Sequence, residues 1–294
     1  MSSLRALRPQ QWVKNTFVFA ALVFSRNLMH PDLLLRTCIT FAAFCAVASA
    51  IYLINDVADF ERDRVHPEKR LRPIAAGEVS RRAALFAAAV IAPLGLTLAF
   101  WLNTATGAVL TTYAVLNLAY SLRLKHYVLL DVFIIAFGFL LRVTAGAFAI
   151  DVDISVWLLV CTFFIALFLG LCKRRNELVS LGDDAVSHRG ALVHYNLQFV
   201  DKMVSALASM TVMSYALYTI DTRTAEKVGT NALVLTLPLV LFGIFRYLHL
   251  VHLHQKGGSP TDVVLTDRGM QVVLALYLTI AVTLIYFNVH LRFA

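Results

Sequence analysis

Four polar side chains stand close together where the apolar run at residues 38–54 ends: Asn55, Asp56, Asp59 and Asp63. On a helix that turns about 100° per residue, the three aspartates lie within an arc of about 60°, with Asn55 at its edge. Carboxylates on one helix face repel each other, and the repulsion costs more at a membrane boundary than in water. A divalent cation removes it, and Mg²⁺ commonly binds one or two carboxylates together with substrate phosphates. The pattern therefore predicts a magnesium site, with these four residues as metal ligands and as the catalytic group.

Basic side chains follow the aspartates at once and predict that the metal is bound together with phosphate. Arg64, Lys69 and Arg72 offer hydrogen-bond donors for the oxygens that the metal leaves bare. The prolines and the glycine of segment 67–77 indicate a shaped loop. A solvated helix end is the alternative, but it does not explain three carboxylates on one face. We expect a magnesium-diphosphate site.

The elements that carry these residues belong to an integral membrane protein. Of the 294 residues, 59% are hydrophobic and 15% are charged, and the mean hydropathy is +0.73. Apolar stretches of about 17 to 25 residues match the length of a membrane-spanning helix, and they lack the period-two pattern of a β-barrel. We predict an all-α polytopic protein with a single domain over residues 1–294. The nine predicted spans are 12–30, 33–57, 82–102, 104–122, 127–150, 154–175, 200–220, 231–252 and 270–290.

The basic residues predict the orientation in the membrane. With the N-terminus inside, 19 of the 26 lysines and arginines lie on the cytoplasmic side and five on the other, with Arg142 and Arg246 inside spans. This asymmetry follows the positive-inside rule. We expect a cytoplasmic N-terminus, and loops 2–3 and 6–7 facing the cytoplasm. The net charge of +8 does not indicate nucleic acid, because the basic residues are dispersed among helix ends.

Charges inside or next to spans are further candidates for substrate binding. Arg142 and Arg246 would be costly in a bilayer without a partner or a wet cavity, so a site role is expected, with a structural ion pair as the alternative. Lys14 is expected to contact a phosphate at the cytoplasmic side. The alternative is a lysine at a helix end whose ammonium group extends to the membrane–water interface. Three residues of loop 8–9 cover the site or belong to an ordinary solvated loop: Asp262, Asp267 and Arg268.

The chain resembles the UbiA superfamily of membrane-embedded prenyltransferases, whose NDxxDxxxD motif is matched by residues 55–63. The closer resemblance is to decaprenyl-phosphate phosphoribosyltransferases. Their RPxQWxKN reads RPQQWVKN at residues 8–15, and their DRxHPxKxxRPIAAG reads DRVHPEKRLRPIAAG at residues 63–77. The resemblance implies nine transmembrane helices around a central cavity. Tyr120 and Lys125 are spaced like the superfamily's YxxxK with one residue more between them; an ordinary positive-inside lysine is the alternative.

The resemblance implies transfer of 5-phosphoribose from 5-phosphoribosyl diphosphate (PRPP) to a decaprenyl-like polyprenyl phosphate. Pyrophosphate is the by-product and Mg²⁺ the cofactor. The implied partners are PRPP, the polyprenyl phosphate and membrane lipids, and homo-oligomerisation is left open. The implied location is the bacterial inner membrane with the active site facing the cytoplasm. The lipid product would lead to an arabinose donor for cell-wall arabinan.

Loop 6–7 departs from the wider superfamily, whose aromatic prenyltransferases carry a second acidic motif, DxxxD, in this loop. Here the loop opens with Lys173, Arg174 and Glu177. PRPP carries a 5-phosphate as well as its diphosphate, and the lipid acceptor brings a third phosphorylated group. Basic residues in place of the acidic motif would balance that added negative charge. We expect Lys173, Arg174 and Arg189 to bind the 5-phosphate or the acceptor phosphate, and Glu177 and Tyr195 to contact ribose hydroxyls.

Two other functions stay open at this point. A prenyltransferase would move an isoprenoid from its diphosphate to an aromatic or other small acceptor, but the DxxxD motif that favours it is absent from loop 6–7. A transporter could also have nine spans and buried charges. The sequence shows no pair of spans broken by Gly or Pro in matching halves, which is the usual sign of a transport site.

Overall fold

The structure, a computed structural model, describes residues 2–67, 69–181, 195–253 and 260–287. Every regular element in these ranges is helical, which confirms the all-α class. Eight long helices carry most of the chain: α1 Pro31–Ala58, α2 Arg81–Leu102, α3 Thr104–Leu122, α4 Leu130–Ala149, α5 Val156–Leu181, α6 Leu197–Ile220, α7 Leu237–Leu253 and α8 Arg268–Tyr286.

Short helical segments occupy the N-terminal region and the connections. The N-terminal region consists of the helix Ser2–Ala6, the 3₁₀ helix Pro9–Phe19 and the helix Ala20–Phe24. The connecting segments are the helices Phe60–Val65, Thr222–Val228 and Pro260–Thr266, and the 3₁₀ helices Lys69–Leu71, Leu124–His126 and Ala232–Thr236.

Seven helices of the described chain are long and apolar enough to cross a membrane, so this is a multi-pass membrane protein. Those spans are Pro31–Ala58, Arg81–Leu102, Leu130–Ala149, Val156–Val179, Leu197–Ile220, Ala232–His252 and Arg268–Tyr286. The predicted count of nine is not confirmed. Predicted span 104–122 forms α3, but threonines, tyrosines and an asparagine dilute its apolar character. Predicted span 12–30 forms a 3₁₀ helix and a helix of five residues instead of one long α-helix.

The chain packs as two compact units. The first comprises Met1–Leu22, His30–Leu122 and Leu141–Val152, and the second comprises Val23–Met29, Arg123–Leu140 and Asp153–Ala294. A single domain over residues 1–294 stays a prediction. In the first unit, the buried side chains of Phe44, Val47, Leu110 and Tyr113 form a cluster within α1 and α3. In the second, a cluster around Tyr215, Tyr218, Leu233 and Ile285 brings together residues of α6, α8 and the 3₁₀ helix before α7.

Small residues allow the helices of the first unit to approach closely. A Cβ on Gly95 of α2 would lie 2.9 Å from the carbonyl oxygen of Ala43 in α1, so only glycine fits this crossing. Close packing of this kind matters in a bilayer, because lipid tails are as apolar as the side chains and burial alone gives little association.

Gly146 permits an even closer approach in the first unit. It lies in the last part of α4, and a Cβ placed there would overlap the backbone carbonyl of Val18 in the 3₁₀ helix Pro9–Phe19. The obstacle is backbone rather than the end of a flexible side chain, so the 3₁₀ helix itself would have to move. Gly146 therefore fixes how the segment of the RPQQWVKN motif packs in the first unit.

Gly146→Ala is expected to lower the free energy of unfolding by about 1–3 kcal/mol, because an overpacked contact forces a backbone shift. The measurement is the unfolding midpoint of the purified protein in detergent. Gly243→Ala is the matched control, since a Cβ at Gly243 meets Val273 at 3.6 Å, which is ordinary van der Waals contact. Equal midpoints for the two variants would contradict this account of Gly146.

Candidate functional site

The aspartate motif lies on a bent but continuous helical path. Helix α1 ends at Ala58, and the helix Phe60–Val65 begins after Asp59, whose backbone has φ −92° and ψ 9°. Two backbone hydrogen bonds of 2.9 Å run across the bend, from the Asp59 N–H to the Asn55 carbonyl and from the Asp63 N–H to the Asp59 carbonyl. The i to i+4 pattern persists, so Asp56 and Asp63 keep similar directions. Both of their side chains are buried.

Two arginines meet the buried carboxylates of this motif. The Arg8 guanidinium donates to Asp56 Oδ1 at 2.5 Å. Nη1 of Arg72 lies 3.2 Å from the same oxygen and 2.5 Å from Asp63 Oδ2. One guanidinium nitrogen thus contacts both carboxylates, and the first unit carries a cluster of two acids and two bases. Arg8 and Arg72 remain about one quarter exposed, so the cluster can be reached from solvent.

Arg8 has no site role in the sequence prediction, although it opens the RPQQWVKN motif. It precedes the 3₁₀ helix Pro9–Phe19 and adopts a left-handed backbone conformation with φ 54°. Its guanidinium also lies 5.0 Å from the centre of the Tyr52 ring, in a cation–π contact. The signal that could have found it is its place in the same motif as Lys14.

The donor set fits a divalent cation that shares its coordination with phosphate. Asp56 and Asp63 offer hard carboxylate oxygens that already converge on one positively charged nitrogen. Within the described ranges, no group of three or more His, Cys, Asp or Glu side chains is arranged to hold a metal. Mg²⁺ commonly uses one or two carboxylates and completes its shell with phosphate oxygens and water. The four-residue ligand set that includes Asn55 and Asp59 stays a prediction; both are half-buried beside the two carboxylates.

The other predicted residues near this motif are more exposed. Arg64 is exposed, with its guanidinium 5.6 Å from the centre of the Phe60 ring. Lys69 is half-buried in the 3₁₀ helix Lys69–Leu71, and Lys14 is half-buried in the 3₁₀ helix Pro9–Phe19. Tyr120 is half-buried near the end of α3. Their predicted substrate contacts stay predictions.

Arg142 is buried inside the first unit and is held by uncharged groups. Its Nε donates to Asn15 Oδ1 at 2.8 Å, and its Nη2 donates to the Tyr113 hydroxyl at 2.8 Å. The guanidinium also lies 4.7 Å from the centre of the Tyr113 ring. Asn15 in turn donates to the Cys45 sulfur at 3.2 Å. Asn15 closes the RPQQWVKN motif, so Arg142 ties that motif to α4 of the same unit.

A second charged cluster lies in the second unit. Arg174 of α5 is only 1% exposed, and its Nε lies 2.7 Å from Oδ2 of the fully buried Asp131 in α4. Its Nη1 contacts the Glu177 carboxylate, and the Lys173 ammonium lies 4.0 Å from the other Glu177 oxygen. The Tyr195 hydroxyl donates to Asp131 Oδ1 at 2.9 Å. Two predicted site residues, Arg174 and Tyr195, therefore contact an aspartate that the prediction omits, and Arg174 links it to Glu177 and Lys173.

The rule that drew attention to Arg142 could have found Asp131 as well. Its carboxylate lies inside predicted span 127–150, where an ionisable side chain is a functional candidate by default. Burial, and then the negative charge of Asp131, raise the pKa of the Tyr195 phenol above its usual value. The phenol therefore stays protonated at neutral pH and serves as a hydrogen-bond donor.

Of the remaining predicted residues, Arg246 and Asp267 are in contact. Arg246 of α7 forms a two-pronged pair with Asp267, with Nε 2.7 Å from Oδ1 and Nη2 3.0 Å from Oδ2. Asp267 also caps α8 by accepting from the Met270 N–H at 2.8 Å. Asp262 and Arg268 are exposed, which fits the solvated-loop alternative as well as a cover. Lys125 is half-buried in the 3₁₀ helix Leu124–His126, and Arg189 lies outside the described residues.

Asn15→Ala is expected to lower the free energy of unfolding by about 1.5–3 kcal/mol, because it removes a hydrogen bond from a buried charged group. Equilibrium unfolding in detergent is the measurement. Thr16→Ala is the control, since the neighbouring Thr16 is exposed and its hydroxyl donates to the backbone carbonyl of Val13 in the same 3₁₀ helix. Tyr113→Phe keeps the ring beside Arg142 and should cost less than Asn15→Ala; a larger cost for Thr16→Ala than for Asn15→Ala would contradict the assignment.

Comparisons with known proteins show the family of the chain. A family model described as the UbiA prenyltransferase family matches residues 15–260. The chain is 32% identical over 295 residues to a decaprenyl-phosphate phosphoribosyltransferase of Mycolicibacterium smegmatis, covering 97% of this chain and 92% of the relative. It is 33% identical over 288 residues to the Corynebacterium glutamicum protein of the same name, covering 96% of this chain and 86% of that relative.

The fold also has a solved counterpart. The structure of a UbiA homolog from Archaeoglobus fulgidus bound to GPP and Mg²⁺ superposes with a TM-score of 0.72 and covers 97% of this chain and 99% of that one. The sequence identity is 18%, so this likeness concerns the fold.

Proposed function

The chain belongs to the UbiA prenyltransferase family, and we propose that it transfers 5-phosphoribose from PRPP to a polyprenyl phosphate and releases pyrophosphate. The enzyme is then a pentosyltransferase that acts on a membrane lipid. The observation that carries the proposal is the cluster of Asp56, Asp63, Arg8 and Arg72, which offers both carboxylates for a metal and guanidinium groups for a diphosphate. Relatives of that name match over nearly the full length of the chain.

The diphosphate of the donor is assigned to the cluster of Asp56, Asp63, Arg8 and Arg72. Asp56 and Asp63 would hold the Mg²⁺, with Asn55 and Asp59 on the same helical path. Bound magnesium supplies positive charge at the departing diphosphate. Arg8 and Arg72 neutralise the two carboxylates, and their guanidinium groups, partly open to solvent, can donate to phosphate oxygens. Arg64, Lys69 and Lys14 add positive charge on the same unit.

The reaction needs no base from the protein. The bond between the anomeric carbon and the diphosphate oxygen breaks, and its electron pair leaves with pyrophosphate. An oxygen of the lipid phosphate, already an anion at neutral pH, forms the new bond to that carbon. No proton has to be removed, so positioning and electrostatic stabilisation supply the acceleration. The arginines of the first cluster donate hydrogen bonds to the charge that develops on the leaving group.

For the sugar and the remaining phosphates we propose the charged residues around Glu177. Lys173 is 41% exposed and is the accessible base of the second cluster, which suits contact with the 5-phosphate or the acceptor phosphate. Glu177, 23% exposed, suits hydrogen bonds from ribose hydroxyls. Arg174 is buried between two carboxylates, which argues against direct phosphate contact. Arg246, Tyr120 and Lys125 stay candidate substrate contacts.

The proposed orientation places the N-terminus and the aspartate motif at the cytoplasmic face of a bacterial inner membrane. Its support is the 19-to-5 distribution of lysines and arginines. PRPP and Mg²⁺ are water-soluble and occur in the cytoplasm, so a donor site on that face needs no transport step. The lipid acceptor and the surrounding membrane lipids are the other partners.

Asp63→Asn is expected to lower the transfer rate on the order of 100-fold, because it removes one of the two converging carboxylates. The assay follows radiolabel from PRPP into a lipid extract, in the presence of Mg²⁺ and decaprenyl phosphate. Glu61→Gln is the control, since Glu61 is an exposed acid of the same short helix and should retain the wild-type rate. A wild-type enzyme that labels no lipid but turns over a prenyl diphosphate with an aromatic acceptor would overturn the proposed reaction.

Metal removal gives an independent test of the site. Mg²⁺ and pyrophosphate together should stabilise the purified protein by about 2.7 kcal/mol at roughly 100 times the dissociation constant. Neither should do so alone, and EDTA should abolish the effect. The measurement is the unfolding midpoint, which needs no turnover. Asp56→Asn should lose the stabilisation and Glu61→Gln should keep it; stabilisation that persists in Asp56→Asn would move the metal away from this motif.

A further inference from the structure

We infer that Asp131 is a positioning residue that acts through Arg174 to fix the Glu177 carboxylate, so that Glu177 accepts hydrogen bonds from ribose hydroxyl groups of the donor. The inference rests on the proposed phosphoribosyl transfer and names the chain of contacts that would make the site selective for a ribose donor. Asp131 itself touches no substrate in this account.

Asp131 and Arg174 form a pair that is closed to solvent. Their side chains are 0% and 1% exposed, and Asp131 Oδ2 lies 2.7 Å from Arg174 Nε. A guanidinium in this position cannot reach a substrate that arrives from water. What it can do is hold the next group in the chain, because its Nη1 contacts Glu177 Oε2.

Glu177 is where this chain of contacts meets solvent. It is 23% exposed, and Lys173 beside it is 41% exposed. Among the described residues of the cluster, Glu177 is the acid that reaches solvent and Lys173 is the partly exposed base beside it. A carboxylate accepts up to about four hydrogen bonds, so the contact with Arg174 does not exclude a sugar donor. Sugar hydroxyl groups are donors that suit such a fixed acceptor.

The orientation of Asp131 is itself determined from two sides. The Tyr195 hydroxyl donates to Asp131 Oδ1 at 2.9 Å and accepts from the Leu129 N–H at 2.8 Å. Leu129 holds a left-handed backbone conformation with φ 64°, which is uncommon for a residue with a branched side chain. Such strain persists only where surrounding contacts determine the local structure, and it concentrates at functional sites. Asp131 also lies in the first turn of α4, where the helix dipole favours a negative charge.

The test compares Asp131→Asn, Glu177→Gln and the double variant in the full chain, purified in lipid nanodiscs. The substrates are PRPP and its 2-deoxy and 3-deoxy analogues, with decaprenyl phosphate as acceptor. We expect the wild type to prefer PRPP over at least one deoxy analogue. Asp131→Asn should raise the KM for PRPP on the order of tenfold and reduce that preference, as loss of a supporting contact typically does.

The double variant separates action through Glu177 from a general structural role. If Asp131 acts through Glu177, then Asp131→Asn adds little to the KM and preference of Glu177→Gln, because the two changes interrupt one chain of contacts. Additive effects on KM and an unchanged preference for PRPP would overturn the inference. A merely structural pair would lower the unfolding midpoint without changing the preference for the ribose hydroxyl.

Tyr195→Phe keeps the test decisive if Asp131→Asn does not fold. It removes the hydrogen bond to Asp131 and leaves the Asp131–Arg174 pair in place, so the same changes in KM and preference are expected in smaller degree. A folded Tyr195→Phe enzyme with wild-type KM and preference would overturn the inference. Failure of the proposed function would look different from failure of this inference, because the wild type itself would then transfer no label from PRPP to the lipid.

Discussion

A carboxylate that leaves water at the edge of a membrane must meet a positive charge, and much of the described site follows from that constraint. The cost of burying an ion is several kcal/mol even after relaxation, so an unpaired acid would not remain ionised in such a place. Asp56, Asp63 and Asp131 are all buried, and an arginine lies against each. The pairs place a positive charge beside each acid and fix the direction of its oxygens, which suits them to act as metal ligands or as hydrogen-bond acceptors.

The two clusters use this constraint in different ways. In the first unit the arginines are partly exposed, so Arg8 and Arg72 can exchange a carboxylate for a phosphate oxygen. In the second unit Arg174 is closed to solvent, and its guanidinium contacts the carboxylates of Asp131 and Glu177. An accessible pair can respond to a ligand, whereas a closed pair can only hold its neighbours. The same two residue types thus form a solvent-accessible cluster in one unit and a closed pair in the other.

The sequence predicts the class of the fold and the position of the main motif because both depend on patterns within short stretches of the chain. Apolar runs of membrane length and an aspartate pattern with helical spacing need no tertiary information. The partners of the aspartates were harder to find. Arg72 was expected from its place nine residues after Asp63, but Arg8 lies 48 residues before Asp56 and reaches it only through the fold. The span count was not confirmed for two reasons that apolar length alone does not reveal. Residues 9–24 form a 3₁₀ helix and a short helix, and polar residues dilute the apolar character of α3.

Counting charges in the sequence does not reveal which acid lies against Arg174. A base that stands where related enzymes carry an acid suggests a phosphate site, but its effect depends on what neutralises it. Asp131 is 43 residues away in sequence and fully buried, and its carboxylate lies against the Arg174 guanidinium. The phosphate role of Arg174 stays a prediction. If the second cluster distinguishes a ribose donor from a prenyl donor, it does so through the direction of the Glu177 carboxylate rather than through net charge. Selectivity of that kind is strong where the bound substrate closes the acceptor off from water, because an acceptor placed for a hydroxyl then rejects a ligand that lacks one.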